Sequence, residues 1–280
     1  MDAIPGLGEL IERALAEDVG HGDVTTAATV TPGQSGRGRI TVKQERLKFC
    51  GGFVLEQVFE RAGAKPKFVS LAAEGAELAR GGCAAEFEGR LDGLLIAERT
   101  ALNFVQLMCG IATATSEYVN AIKTSGARII DTRKTHPGLR AIEKYAVRTG
   151  GGANHRFGLD SGILIKENHI AAAGSVSEAI QKVRAYAPHT LRVEIECETL
   201  AQVGEAVAGG ANVILLDNMT IDQIKRARGI APAPILLEVS GNVTIAKVRA
   251  IADTGVDLIS VGAITHSVAA ADLSMRVEPI

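Results

Sequence analysis

The chain of 280 residues carries 30 basic against 32 acidic side chains, a net charge of −2, with 46% hydrophobic residues and no tryptophan. That length and apolar content suffice for a sizeable globular core, and the balanced charge, without a basic stripe interleaved with aromatics, argues against a nucleic-acid surface. The acidic opening MDAIPGLGELIERALAEDVG is unlike a signal peptide, and no apolar run approaches the roughly 20 residues that span a bilayer, so a cytoplasmic protein with no membrane partner is expected. Cys50, Cys83, Cys109 and Cys197 are scattered without a C-x-x-C pair, as free thiols of a reducing compartment would be, and Cys197 reads as a buried strand residue.

In chain order, Leu7, Leu10, Ile11 and Leu15 recur at helical spacing, and the glycines of DVGHGDVTT then break the pattern. Residues 37–43 alternate like a half-buried strand, 53–59 read as a helix, and 67–71 and 83–88 as short strands. This first third shows no βα repeat. From 94 to 123 the sequence is helix-forming, with Ala101, Phe104, Val105 and Met108 on one apolar face and Gly110 offering an interruption. This stretch is the expected hinge between two architectures. By position alone, Arg99 on it is an exposed helix charge.

Beyond the hinge, apolar strands at 127–131, 163–166, 191–196, 212–217, 235–239 and 257–260 precede amphipathic helices around 175–186, 199–208, 220–228 and 243–253. Serial βα units build a parallel sheet. No G-x-G-x-x-G follows a strand, which argues against a dinucleotide fold. Short, similar units favour a closed or nearly closed barrel, whose chemistry lies at the C-terminal strand ends.

Polar residues fall at those ends in succession: Thr132-Arg133-Lys134, Lys166, Glu196, Asp217-Asn218, Ser240-Gly241-Asn242, and Ser260 leading to Gly262. The stretch 131–170 also concentrates His155, Arg156 and the run Gly150-Gly151-Gly152, an acid-binding constellation in loop-like sequence, whereas Arg140, Lys144 and Arg148 fall on a helical segment with scaffold or surface roles. Glu196 and Asp217 beside a polyanion indicate Mg²⁺, which is held by one or two carboxylates together with substrate phosphates. The late turns 240–242 and 260–262 offer backbone N–H groups to phosphate. A phosphate end, a metal-bound polyphosphate and a strongly acidic second reactant describe phosphoribosyl transfer.

The stretch DTRKTHPGLRAIEKYAVRTGGGANHRFGLDSGILIKENHI, with AEDVGHGDVTT, ERTALNF, VEIE, LLDNM, EVSGNVT and ISVGAITHS, resembles the quinolinate phosphoribosyltransferase family over nearly the whole chain. The resemblance implies reaction of quinolinate with phosphoribosyl pyrophosphate to give nicotinate mononucleotide, pyrophosphate and CO₂, in NAD synthesis. It implies an α/β fold: an N-terminal α/β sandwich domain over 1–112, to which a tail at 271–280 returns, and a C-terminal TIM-like, partly open α/β barrel over 113–270. Arg133, His155, Arg156 and Lys166 match the quinolinate-binding residues, and Glu196 and Asp217 the metal and ribose region. Ser240, Gly241 and Gly262, with neighbouring Asn242 and Ser260, match the 5′-phosphate region, joined by His266. Lys134, Lys166, Glu196 and Asp217 are the expected catalytic set. Arg99 is implied to complete a neighbouring subunit's site, which makes a homodimer obligatory. His136 and Glu167 depart mildly from the family pattern, where Thr and Asp are usual.

Overall fold

The structure, a computed structural model, describes residues 4–280 and divides them into two compact units. The first comprises residues up to Ser116, His136–Gly151 and Ser267–Ile280; the second comprises Glu117–Thr135 and Gly152–His266.

In the first unit, helix α1 (Leu7–Val19) buries Leu7, Ile11 and Leu15, one face at i, i+4 and i+8. The short α2 (Val24–Thr29) starts where the Asp23 carboxylate accepts the Thr25 and Thr26 N–H groups, and these bonds with the Thr26 hydroxyl hold its pKa below the usual value. There follow β1 (Ser35–Val42), β2 (Arg46–Lys48), α3 (Gly52–Arg61), β3 (Lys67–Leu71), β4 (Glu77–Ala79) and β5 (Cys83–Arg90). Alternation along β1 buries Gly36, Gly38, Ile40 and Val42 and exposes Arg37 and Arg39. Gly38 is required because a Cβ would collide with the Phe87 ring, which lies against Phe59 at 4.6 Å and Phe68 at 5.3 Å between centroids.

The long helix α4 (Leu91–Ala121) runs without the interruption expected at Gly110. That glycine instead lets the backbone at Ala269 cross the helix, since a Cβ would collide with the Ala269 carbonyl. By length and composition α4 could cross a membrane, contrary to the sequence reading, but its most apolar window is 61% buried within the protein, as in a core helix. The chain then forms β6 (Arg128–Ile130) and α5 (Arg140–Thr149), the latter within the first unit. On α5, Lys144 is buried and Arg148 exposed. His136 Nδ1 meets the buried Glu143 carboxylate at 2.5 Å, so this departure from the family pattern is a hydrogen-bonded imidazole.

The second unit continues with β7 (Ile163–Ile165), α6 (Glu167–Ala173), α7 (Val176–Tyr186), β8 (Val193–Cys197), α8 (Leu200–Ala208), β9 (Val213–Asp217) and α9 (Ile221–Ile230). It ends with β10 (Leu236–Ser240), α10 (Ile245–Ala252), β11 (Leu258–Ser260) and α11 (Ala263–His266). Thr199 with Gln202 and Thr220 with Gln223 form capping boxes that start α8 and α9. Each satisfies orphan backbone donors, worth about 1 kcal/mol per cap. The final strand, β12 (Leu273–Pro279), belongs to the first unit and pairs antiparallel with β1, in a sheet ordered β12-β1-β5-β3.

The barrel sheet is six-stranded and parallel, ordered β6-β11-β10-β9-β8-β7. Its edges, β6 and β7, are consecutive in the chain but have no ladder between them; a single bridge from Ile130 to Ala153 is what the intervening loop contributes there. The barrel is therefore open along one seam, and the segment 152–162 runs beside it.

Candidate active site

The strand ends of the second unit enclose a cleft of about 580 Å³ lined by Arg133, Lys134, His155, Arg156, Lys166, Glu196, Asp217, Ser240, Gly241, Asn242 and Ser260. The predicted residues thus gather on one end of the barrel. Gly262 and His266 stand beside Lys134: a Cβ on Gly262 would lie 3.1 Å from His266 Nε2 and 3.3 Å from Lys134 Cδ. Arg99 does not line the cleft; it is exposed on α4 in the first unit.

The cations flank the open seam. After β6 the chain turns at Thr132, whose hydroxyl accepts the Lys134 N–H at 3.0 Å, and the Lys134 carbonyl accepts the Thr265 hydroxyl at 2.7 Å. The segment carrying His155 and Arg156 is tied down by the buried Asp131, whose carboxylate accepts the His155 N–H at 2.8 Å and the Asn154 amide at 2.6 Å. Arg156 donates through Nη1 to the Gly162 carbonyl at 2.9 Å, while its buried Nε has no hydrogen-bond partner. Burial and the nearby Arg133 charge lower the Arg156 pKa. An unsatisfied guanidinium N–H beside a second arginine is a place where an anion would be stabilised.

Across the cleft, Lys166 Nζ contacts Glu196 Oε2 at 2.6 Å, with the lysine side chain 45% exposed and the glutamate 10%. Burial raises the Glu196 pKa against the pull of Lys166, and Asp217 on the next strand adds to the rise. Hard carboxylates on neighbouring strands suit a divalent metal bound through oxygen, and Asn218 donates to Asp217 at 2.7 Å.

Beyond Asp217 the backbone turns tightly. Asn218 and Asn242 have φ of 52° and 47°, and Gly241 has φ of 96°. A Cβ on Gly241 would collide with Asn218 Oδ1, so only glycine lets these loops touch. The turn leaves small residues and backbone at the cleft wall, a shape suited to an anion.

Sequence reasoning missed Glu194 and Glu238. Glu238 lines the cleft, and both residues face the barrel interior below it, where His155 Nε2 lies 3.1 Å from Glu194 Oε2 and 3.8 Å from Glu238 Oε2. The signal was present: a carboxylate inside an apolar strand, as in LLEV, and Glu194 two residues before Glu196 in VEIE, hence on the same face of β8.

The chain matches the description of the quinolinate phosphoribosyl transferase C-terminal domain over residues 111–276 and of its N-terminal domain over residues 23–109. It is 42% identical over 271 residues to a probable carboxylating nicotinate-nucleotide pyrophosphorylase of Bacillus subtilis, covering 97% of this chain and 93% of that one. It is 43% identical to the carboxylating nicotinate-nucleotide pyrophosphorylase of Mycobacterium leprae over 275 residues, covering 95% of each. The crystal structure of NadC from Streptococcus pyogenes superposes with a TM-score of 0.95 at 38% identity, covering 100% of this chain and 99% of that one.

Proposed function

This chain belongs to the quinolinate phosphoribosyltransferase family, and we propose that its cleft joins quinolinate to phosphoribosyl pyrophosphate, releasing pyrophosphate and CO₂ and forming nicotinate mononucleotide for de novo NAD synthesis. The observation that carries this reading is the division of one cleft into a cationic seam and a carboxylate-and-glycine wall. Quinolinate bears adjacent carboxylates whose repulsion needs fixed cations. Arg133, Arg156 and Lys166 supply them, the guanidinium groups by planar, paired donation. His155 borders the same pocket. The ends of β10 and β11 suit the ribose phosphate: Ser240, Gly241 and Asn242 offer one glycine turn and Gly262 a second, with Lys134, Ser260 and His266 beside it.

In the reaction the pyridine nitrogen attacks the ribose carbon as pyrophosphate leaves, through an oxocarbenium-like state. Glu196 and Asp217 stabilise the positive charge on the sugar. The same carboxylates would hold Mg²⁺, which supplies charge neutralisation to the departing pyrophosphate. Once ribosylated, the ring nitrogen is cationic and draws in the electron pair left when the neighbouring carboxylate departs as CO₂. Positioning suffices, and no side chain forms a covalent bond to substrate. Arg99, exposed on α4, fits a homodimer in which it completes the partner's site, and a cytoplasmic setting fits the free thiols.

The test is incubation with phosphoribosyl pyrophosphate, Mg²⁺ and either quinolinate or nicotinate. Equimolar pyrophosphate and CO₂ from quinolinate, with no product from nicotinate, is the expected result. Product from nicotinate with no CO₂ from quinolinate overturns the reading.

A further inference from the structure

Beneath the cleft a second cavity of about 410 Å³ enters the barrel from the N-terminal ends of the strands, past Arg128, Arg192 and Leu258. It reaches His155, Glu194 and Glu238 from below. Glu238 and His155 line both spaces, so the partition between the two cavities is made partly of ionisable side chains.

Their ligand atoms lie within 4.8 Å of one another, close enough by distance to hold a metal ion. The hydrogen bonding favours a proton instead. The Arg156 N–H donates to His155 Nδ1 at 2.7 Å, which leaves the ring hydrogen on Nε2, facing Glu194 at 3.1 Å. A nitrogen that carries hydrogen has no lone pair for a metal. Glu238 is 1% exposed, and Oε1 of both Glu194 and Glu238 is buried without a hydrogen-bond partner. A carboxyl group as buried as that of Glu238, with one oxygen unpartnered, favours its neutral, protonated form. Burial first, then the Glu194 charge, push Glu238 well above the usual carboxyl range; Asp131 adds to this and the Ser260 hydroxyl opposes it. Glu238 therefore stores a proton at the wall of the reaction cleft.

The reaction proposed above consumes one. When the carbon–carbon bond to the carboxylate breaks, CO₂ leaves and the electron pair stays on the ring carbon, which must then take a proton. We propose that Glu238 donates this proton and that the N-terminal cavity returns one to it from solvent, an inference that rests on the decarboxylating reading of the cleft. The Glu238 O–H bond breaks as the C–H bond forms, and the resulting carboxylate is reprotonated by water entering below. The arrangement separates proton supply from the C-terminal mouth, through which both substrates enter. Without a donor in place, CO₂ recombines with the ring carbon before it escapes, so the net rate of decarboxylation falls while phosphoribosyl transfer is untouched.

The deciding variant is Glu238→Gln, which keeps the shape and hydrogen-bonding capacity of the protonated acid but has no transferable carboxyl proton. In single turnovers by the Mg²⁺-loaded enzyme, pyrophosphate should appear at the wild-type rate while CO₂ release slows tenfold or more, with KM for quinolinate within threefold. In Glu238→Ala, formate should restore CO₂ release, and chloride should not. CO₂ release within twofold of wild type in Glu238→Gln, or pyrophosphate and CO₂ slowed equally, overturns the proposal; so does the absence of formate rescue should Glu238→Gln not fold. Failure of wild-type enzyme to release CO₂ from quinolinate would instead overturn the functional reading itself, which keeps the two distinguishable.

Discussion

Replacing Lys166 with methionine keeps the aliphatic stem and removes the charge from the centre of the cleft. Coulomb's law at an effective dielectric near 20 gives roughly 6 kcal/mol for unit charges at the 2.6 Å separation of Lys166 and Glu196. Because the lysine side chain is 45% exposed, solvent screening removes about half of that, leaving about 3 kcal/mol. A carboxylate of quinolinate facing the same ammonium group loses a similar amount, so kcat/KM should fall by about two orders of magnitude. The variant also carries a pH signature. Glu196 already has a raised pKa because it is buried, so its favourable contribution is complete below its unfolded value of 4.5 and is lost as pH rises through the higher folded value. Without Lys166 the folded value rises further, and the variant should melt close to wild type in acid and progressively below it towards pH 8. Steady-state assays with quinolinate and thermal melts at pH 5 and pH 8 measure both effects. Activity within threefold of wild type, or a melting gap no larger at pH 8 than at pH 5, refutes the reasoning.

Gly241→Ala should raise KM for phosphoribosyl pyrophosphate about tenfold or more with an unchanged circular dichroism spectrum, since any side chain at φ 96° is strained and collides with Asn218; an unchanged KM would show that the turn does not receive phosphate. Chelation of Mg²⁺ should stop pyrophosphate release and re-addition should restore it, while Asp217→Asn should raise the Mg²⁺ needed for half-maximal rate about tenfold; a rate indifferent to the chelator argues against the carboxylate pair as its site. Mixing Arg99→Ala with Lys166→Met subunits should recover about a quarter of wild-type activity after random exchange into dimers, because half the sites in mixed dimers are intact. No recovery after exchange verified by mass spectrometry counts against a shared site.

Much of the cleft was legible in one dimension because strands in serial βα units are apolar runs that end abruptly. The stretch NVILLD stops at Asp217 and ILLEV at Ser240, and the structure ends β9 and β10 on those residues. Once a parallel sheet is inferred, every strand end points the same way, so polar residues distant in sequence are assigned to one mouth. The short β2 and β4 escaped because their segments RLK and ELA carry no apolar run, unlike the equally short β6, β7 and β11. Gly110 was misread for a related reason. A glycine marks either a break in its own helix or the close passage of another segment, and only the course of the chain near Ala269 tells which.

Periodicity and side-chain chemistry determined, from the sequence alone, the change of architecture along the chain, the succession of strands and helices in the barrel, and the cations, Glu196 and Asp217 at its strand ends. These follow from local preferences that each residue carries with it. The tertiary structure decided what depends on pairing across long separations. It left β6 and β7 unpaired, so the cations flank an open seam, and it brought β12 back to β1. It also packed Glu194, Glu238 and His155 together inside the barrel. Whether a carboxylate in an apolar strand meets a cation, water or another carboxylate is set by which strands become its neighbours, and no local pattern contains that information.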